Sequence, residues 1–85
     1  MDYYVYVLQS LSDLKHYTGL TSDVQNRLRM HNSGKVQSTK GRRPFIMIYH
    51  EKVGTLSEAR KREKYFKSAA GRNFLLRLKL KNFSL

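Results

Sequence analysis

Two tyrosines, an arginine, a histidine and a glutamate are of the types that can do chemistry on a phosphate. Tyr6 and Tyr17 are eleven residues apart, on either side of the polar stretch Ser10 to Lys15. In an antiparallel hairpin, residues equidistant from the turn face each other on one side of the sheet. Two phenols so placed reach one phosphate. The same placement also suits an aromatic cross-strand pair whose only task is stability, which the residues alone favour. A free tyrosine titrates at about 10. Activating water at neutral pH therefore requires cations, a metal or a neighbouring base to favour one phenolate; otherwise both phenols only orient water and phosphate.

Arg27 and His31 are four apart, on one face of a helix. A guanidinium suits a bidentate grip on a non-bridging phosphate oxygen. Arg27 borders the Val24–Leu28 apolar stripe, toward the body, whereas Arg29 points elsewhere. His31, with an ordinary pKa near neutrality, suits either proton transfer or a packing role at the helix end. Glu63 is one of only six carboxylates and falls mid-helix on the face that leans inward. It is a candidate ligand for a divalent ion, against the alternative of surface pairs with Arg60 and Lys67. Tyr49, at the end of a third strand, is a further phenol that either faces the site or packs.

The elements that would position these groups follow from pattern. Tyr3 to Gln9 alternates and is rich in Tyr and Val, as is usual in a strand, and His16 to Thr21 completes a hairpin. Ser22 as N-cap, with Gln25 three residues on, opens a helix that Gly34 stops. Lys35 to Arg43 reads as a loop bearing four cations, and Pro44 to Tyr49 as a buried third strand. Thr55 and Glu58 form a capping box for a helix from about Leu56 to Ser68. Arg72 to Leu80 satisfies both strand and helix patterns, with the helix preferred. The expectation is a single α+β domain over residues 1–85: a small three-stranded antiparallel sheet flanked by helices, in the order β-β-α-β-α-α.

Composition narrows the function classes. Seventeen Lys and Arg against six Asp and Glu leave a formal net charge of +11. Such an excess is self-repulsive, and a polyanion relieves it with counterion release. The absence of cysteine excludes disulfides, thiolate metal sites and cysteine nucleophiles. The N-terminus lacks the pattern of a signal peptide, and the apolar run Phe45 to Tyr49 is far too short to span a bilayer. A cytoplasmic protein with no membrane partner is expected.

Val5-Tyr6 followed by Tyr17-Thr18-Gly19 resembles the paired signature of the GIY-YIG endonuclease family, with Tyr4 where the first motif has its glycine. The likeness continues through Thr21-Ser22-Asp23, Arg27, His31-Asn32, Gly34, Ser38-Thr39, Arg43-Pro44, Ile48-Tyr49-His50-Glu51 and Ala59 to Lys67. The chain is similar to the small stand-alone bacterial members and to the N-terminal nuclease domain of the bacterial excision-repair endonuclease. The resemblance implies a DNA endonuclease, with a link to DNA repair, acting at branched, damaged or single-stranded sites. Tyr6, Tyr17, Arg27, His31 and Tyr49 would be catalytic, Tyr17 being the better candidate for activation. Glu63 would be the ligand of one Mg²⁺ or Mn²⁺. Leu20 stands where some relatives have an activating lysine. Asn73 stands in for an asparagine that many members carry after the glutamate. Lys35, Lys40, Arg42 and Arg43 are expected to hold the backbone of DNA or of RNA. Substrate choice would rest with this fold, a partner protein or a homodimer. The competing reading is a noncatalytic nucleic-acid-binding protein that keeps the nuclease fold.

Overall fold

The computed structural model describes the backbone of residues 2–83 and the side chains through residue 80. The order is β1 (Tyr3–Ser10), β2 (His16–Thr21), α1 (Val24–Ser33), a 3-10 turn (Lys40–Arg42), β3 (Phe45–Gly54), α2 (Leu56–Phe66) and α3 (Ala69–Phe83). The sheet is antiparallel in the order β2-β1-β3. The expected α+β architecture is the one observed, and the ambiguous last segment is helical.

As the central strand, β1 has both faces covered. Tyr6 and Leu8 pack with Phe45 against Val24 and Leu28 of α1. Val5 and Val7 point the other way, onto Ala59 and Phe66 of α2 and Leu75 of α3. The layers are therefore α1, sheet, and the α2–α3 pair. Gly71 of α3 fits against the last turn of α2, where a Cβ would run into the Tyr65 carbonyl and the Phe66 Cα.

Several local expectations are corrected. The N-cap of α1 is Asp23, not Ser22: its carboxylate accepts from the Asn26 N–H at 3.1 Å, while Thr21 Oγ1 accepts from the Asp23 N–H. β2 runs to Thr21, so the chain needs one further residue to turn, and an anionic cap also suits the positive helix end. Gly34 ends α1 as expected, in the left-handed conformation at φ 83°. The Thr55–Glu58 capping box is present, but α2 ends at Phe66. β3 is longer than Pro44 to Tyr49, pairs on one side only, and buries just Phe45. The exposed His50 and Lys52 suit such an edge strand. Asn32 ties its start to α1, accepting from the Phe45 N–H at 2.7 Å and donating to the Phe45 carbonyl at 3.0 Å.

Candidate active site

Tyr6 and Tyr17 share the α1 face of the sheet, but they are not direct partners. Tyr6 pairs with Gly19 and Tyr17 with Leu8, an offset of two residues. Their ring centroids lie 6.3 Å apart. The glycine of the second motif has a clear steric cause. The Tyr6 ring lies across it, and a Cβ on Gly19 would sit 2.6 Å from the phenol oxygen.

From α1, Arg27 and His31 reach this pair. The Arg27 Nε–H donates to the Tyr6 oxygen at 3.4 Å, a long contact, and His31 Nε2 lies 2.9 Å from the same oxygen. His31 Nδ1 lies 2.8 Å from Thr39 Oγ1 in the loop before the 3-10 turn. Arginine cannot accept, so the phenol oxygen accepts from Arg27, and one assignment consistent with every contact sends its own proton to His31 Nε2. Nδ1 then carries the ring proton and donates to Thr39, whose own hydroxyl faces the Val36 carbonyl at 3.4 Å. Tyr6, His31 and Thr39 are all essentially inaccessible to solvent. Thr39 was legible only as part of a motif. Its role as the partner of His31 needs the fold.

This burial sets the protonation states. It lowers the His31 pKa to about 4, helped by the Arg27 charge, so the ring is neutral at pH 7. Burial also raises the Tyr6 pKa. The Arg27 hydrogen bond works against that rise, while the Tyr17 and Glu63 charges add to it. Tyr6 is therefore a protonated phenol at neutral pH. Tyr17 is only half-buried, with its ring 4.8 Å from that of His31, and it is the phenol that meets solvent.

Glu63 lies on α2, and its charge is the smallest of the influences that raise the Tyr6 pKa. Its side chain is 25% exposed and pairs with Lys67 at 3.6 Å. Among the described residues, no three His, Cys, Asp or Glu side chains are grouped to hold a metal ion by themselves.

Tyr49 is not brought to this cluster. It pairs with Val7, not with a residue of the Tyr6 face, because β3 bulges between its pairings with Val7 and Leu8. Its ring packs on Phe66 and Phe74, and its hydroxyl donates to Glu51 at 2.7 Å. Glu51 in turn receives two N–H groups of Arg62, at 2.7 and 3.2 Å. The β3 residue opposite Tyr6 is His50.

The basic loop also divides. Arg42 is held by Asp13 at 2.9 Å and by the His16 carbonyl at 3.2 Å, with its guanidinium over the Phe45 ring. It staples the loop to the hairpin instead of standing free for phosphate. Lys35, Lys40 and Arg43 are exposed, Arg43 with its Nε–H on the Lys40 carbonyl. Asn73 is exposed on α3.

Comparison with known proteins follows the same lines. A family model described as the GIY-YIG catalytic domain matches residues 2–75. The chain is 44% identical over 68 residues to a UPF0213 protein of Bacillus pumilus, covering 79% of this chain and 68% of that one. It is 42% identical over 73 residues to a UPF0213 protein of Listeria innocua, covering 85% and 80%. The solution NMR structure of a UPF0213 protein from Bacillus halodurans is similar in fold. Its TM-score is 0.56 at 36% identity, over 93% of this chain and 86% of that one.

Proposed function

The chain belongs to the GIY-YIG family of nuclease catalytic domains, and from that premise we propose that it is a metal-dependent endonuclease hydrolysing a DNA phosphodiester. The observation that carries the reading is the meeting of Arg27 with the Tyr6 phenol, on the face where Tyr17 is open to solvent. It sets a guanidinium on the buried Tyr6 phenol, whose ring lies 6.3 Å from that of the more exposed Tyr17, and attack on a phosphate calls for a cation and a group that orients water.

Each residue then has a distinct task. Tyr6, which is buried and protonated, holds the Arg27 guanidinium in place and is itself held by neutral His31. His31 and Thr39 are positioning residues, since burial keeps both from substrate. Arg27 neutralises charge that grows on the non-bridging oxygens. Tyr17 orients the attacking water and, as its phenolate, takes up the proton. Glu63 fits a hydrated ion better than a dehydrated one. Mg²⁺ commonly binds through one or two carboxylates, with water and substrate phosphate oxygens filling the other positions. When bound, such an ion supplies positive charge to the phosphate and the leaving oxygen.

The test is cleavage of labelled duplex, single-stranded, flap and four-way-junction DNA with and without Mg²⁺ or Mn²⁺. Cutting is expected only with the ion. Glu63→Ala is expected to reduce it by at least about 100-fold while binding is retained. Equal cutting by that variant would remove the single-ion mechanism, and no product on any substrate would leave a binding protein.

A further inference from the structure

Beyond Tyr17 the surface opens into a cleft of about 570 Å³ between the β1–β2 hairpin and the α2–α3 junction. Its walls carry Lys15, His16, Lys67 and Arg72, and no carboxylate. Two contacts join it to the candidate active site. Tyr17 lies in the cleft wall and also against His31, 4.8 Å between rings. Lys67 reaches Glu63 at 3.6 Å from the other wall. A chain passing Tyr17 and Glu63 would therefore enter this cleft next.

The charges of Lys15 and Arg72 are available, while Lys67 is shared with Glu63. Lys15 is exposed and has no acidic partner among the described residues. Arg72 is exposed too, and the partner found for it is the Lys67 carbonyl at 3.1 Å, which leaves its charge unneutralised. Arg42 of the basic loop, by contrast, is engaged with Asp13. One further feature marks the rim. Leu14 is 66% exposed and held at φ 63°, a left-handed backbone that a leucine rarely adopts. A turn selected for turning alone would carry Gly or Asn there. Here an apolar side chain is presented at the cleft mouth.

We propose that this cleft seats the backbone phosphate adjoining the one that is cleaved, with Lys15, Lys67 and Arg72 as its cationic wall and Leu14 against the neighbouring sugar and base. The inference rests on the nuclease reading and goes beyond it, since it adds to the Lys35–Arg43 loop a second grip on nucleic acid at the hairpin and the α2–α3 junction.

The experiment measures binding of the full chain to a DNA oligonucleotide without divalent ion, so that nothing is cut, across a range of salt. Lys15→Gln with Arg72→Gln is compared with a control of equal charge change, Lys61→Gln with Arg77→Gln. All four side chains are exposed, so folding is expected to survive. Loss of the one seated phosphate lowers the slope of log affinity against log salt by about 0.7 to 0.9. The control is expected to change it by well under half as much. With Mn²⁺ present, the cleft variant is expected to raise KM roughly 10-fold while the rate at saturation stays within about twofold. Leu14→Gly relieves the backbone and is expected to melt at the same or a higher temperature, yet to bind more weakly. Equal losses in the cleft and control variants would overturn the seat, and unchanged affinity in Leu14→Gly would overturn its apolar side. If the wild type binds with these slopes and never cuts, the nuclease reading fails while the seat stands.

Discussion

The Tyr6 ring lies across Gly19 on the neighbouring strand, so closely that a Cβ there would stand 2.6 Å from the phenol oxygen and 2.7 Å from Cζ. The glycine of the second motif is thus a steric requirement of the tyrosine of the first. Gly19→Ala is expected to push the phenol off His31 and Arg27, costing about 1–3 kcal/mol of stability and at least about 10-fold in cleavage rate. Combined with Tyr6→Phe it should cost less than the two separately, because both act on the same hydroxyl. Urea unfolding and single-turnover cleavage measure the two effects, and an alanine variant as stable and active as the wild type contradicts the steric requirement.

Thr39 is the far anchor of the buried chain. Thr39→Val keeps the shape but leaves the His31 Nδ1–H without an acceptor, which costs about 1–3 kcal/mol, whereas Thr39→Ser retains the bond. Chemical denaturation of the two variants separates the cases. Equal stability of the valine and serine forms would show that the 2.8 Å contact contributes nothing.

How much of this was legible in the sequence can be argued from register. Counting outward from the turn placed Tyr6 opposite Tyr17, and the true partners are Gly19 and Leu8. The error is two residues, and a strand alternates with period two, so both phenols still share a face. Tyr49 illustrates the opposite case. The register at the start of β3, with Phe45 opposite Ser10 and Met47 opposite Leu8, would carry Tyr49 to Tyr6. One extra residue at the bulge turns Tyr49 to the α2–α3 side and brings His50 there instead. No propensity reports a bulge, and a one-residue slip reverses the face. The engagement of Arg42 was not legible for a related reason: its partner Asp13 is remote in sequence and comes close only when the loop folds onto the hairpin.

Neutral, buried His31 makes stability depend on pH. Its folded pKa of about 4 lies below the ordinary 6.5, so the unfolded chain binds more protons between those values. The contribution is complete above about pH 6.5 and is lost as pH falls toward 4, by on the order of 1–3 kcal/mol. Melting temperatures at pH 7 and pH 5 should differ for the wild type, and by less for His31→Gln. Parallel curves for the two proteins would show that His31 is not the group responsible.

Two carboxylates at the sheet–α2 side, Glu51 and Glu63, should fail in opposite ways. Burial tends to raise the Glu51 carboxyl, but the hydrogen bonds from Arg62 and Tyr49 outweigh it and hold it below its usual range. Arg62 in turn stacks on Tyr65 and Phe66, at 4.5 and 4.7 Å, so it cannot leave when its partner is removed. Glu51→Gln should therefore cost about 1–3 kcal/mol, with little change in cleavage per folded molecule. Among the described residues Glu63 has one surface partner, Lys67, and Glu63→Gln should alter stability by no more than about 0.5 kcal/mol while abolishing cleavage. A double-readout experiment, melting and turnover on the same preparations, distinguishes them. The assignment of the ion ligand to Glu63 would be untenable if the two variants exchanged these outcomes, because the carboxylate nearest the chemistry would then be the one that Arg62 holds.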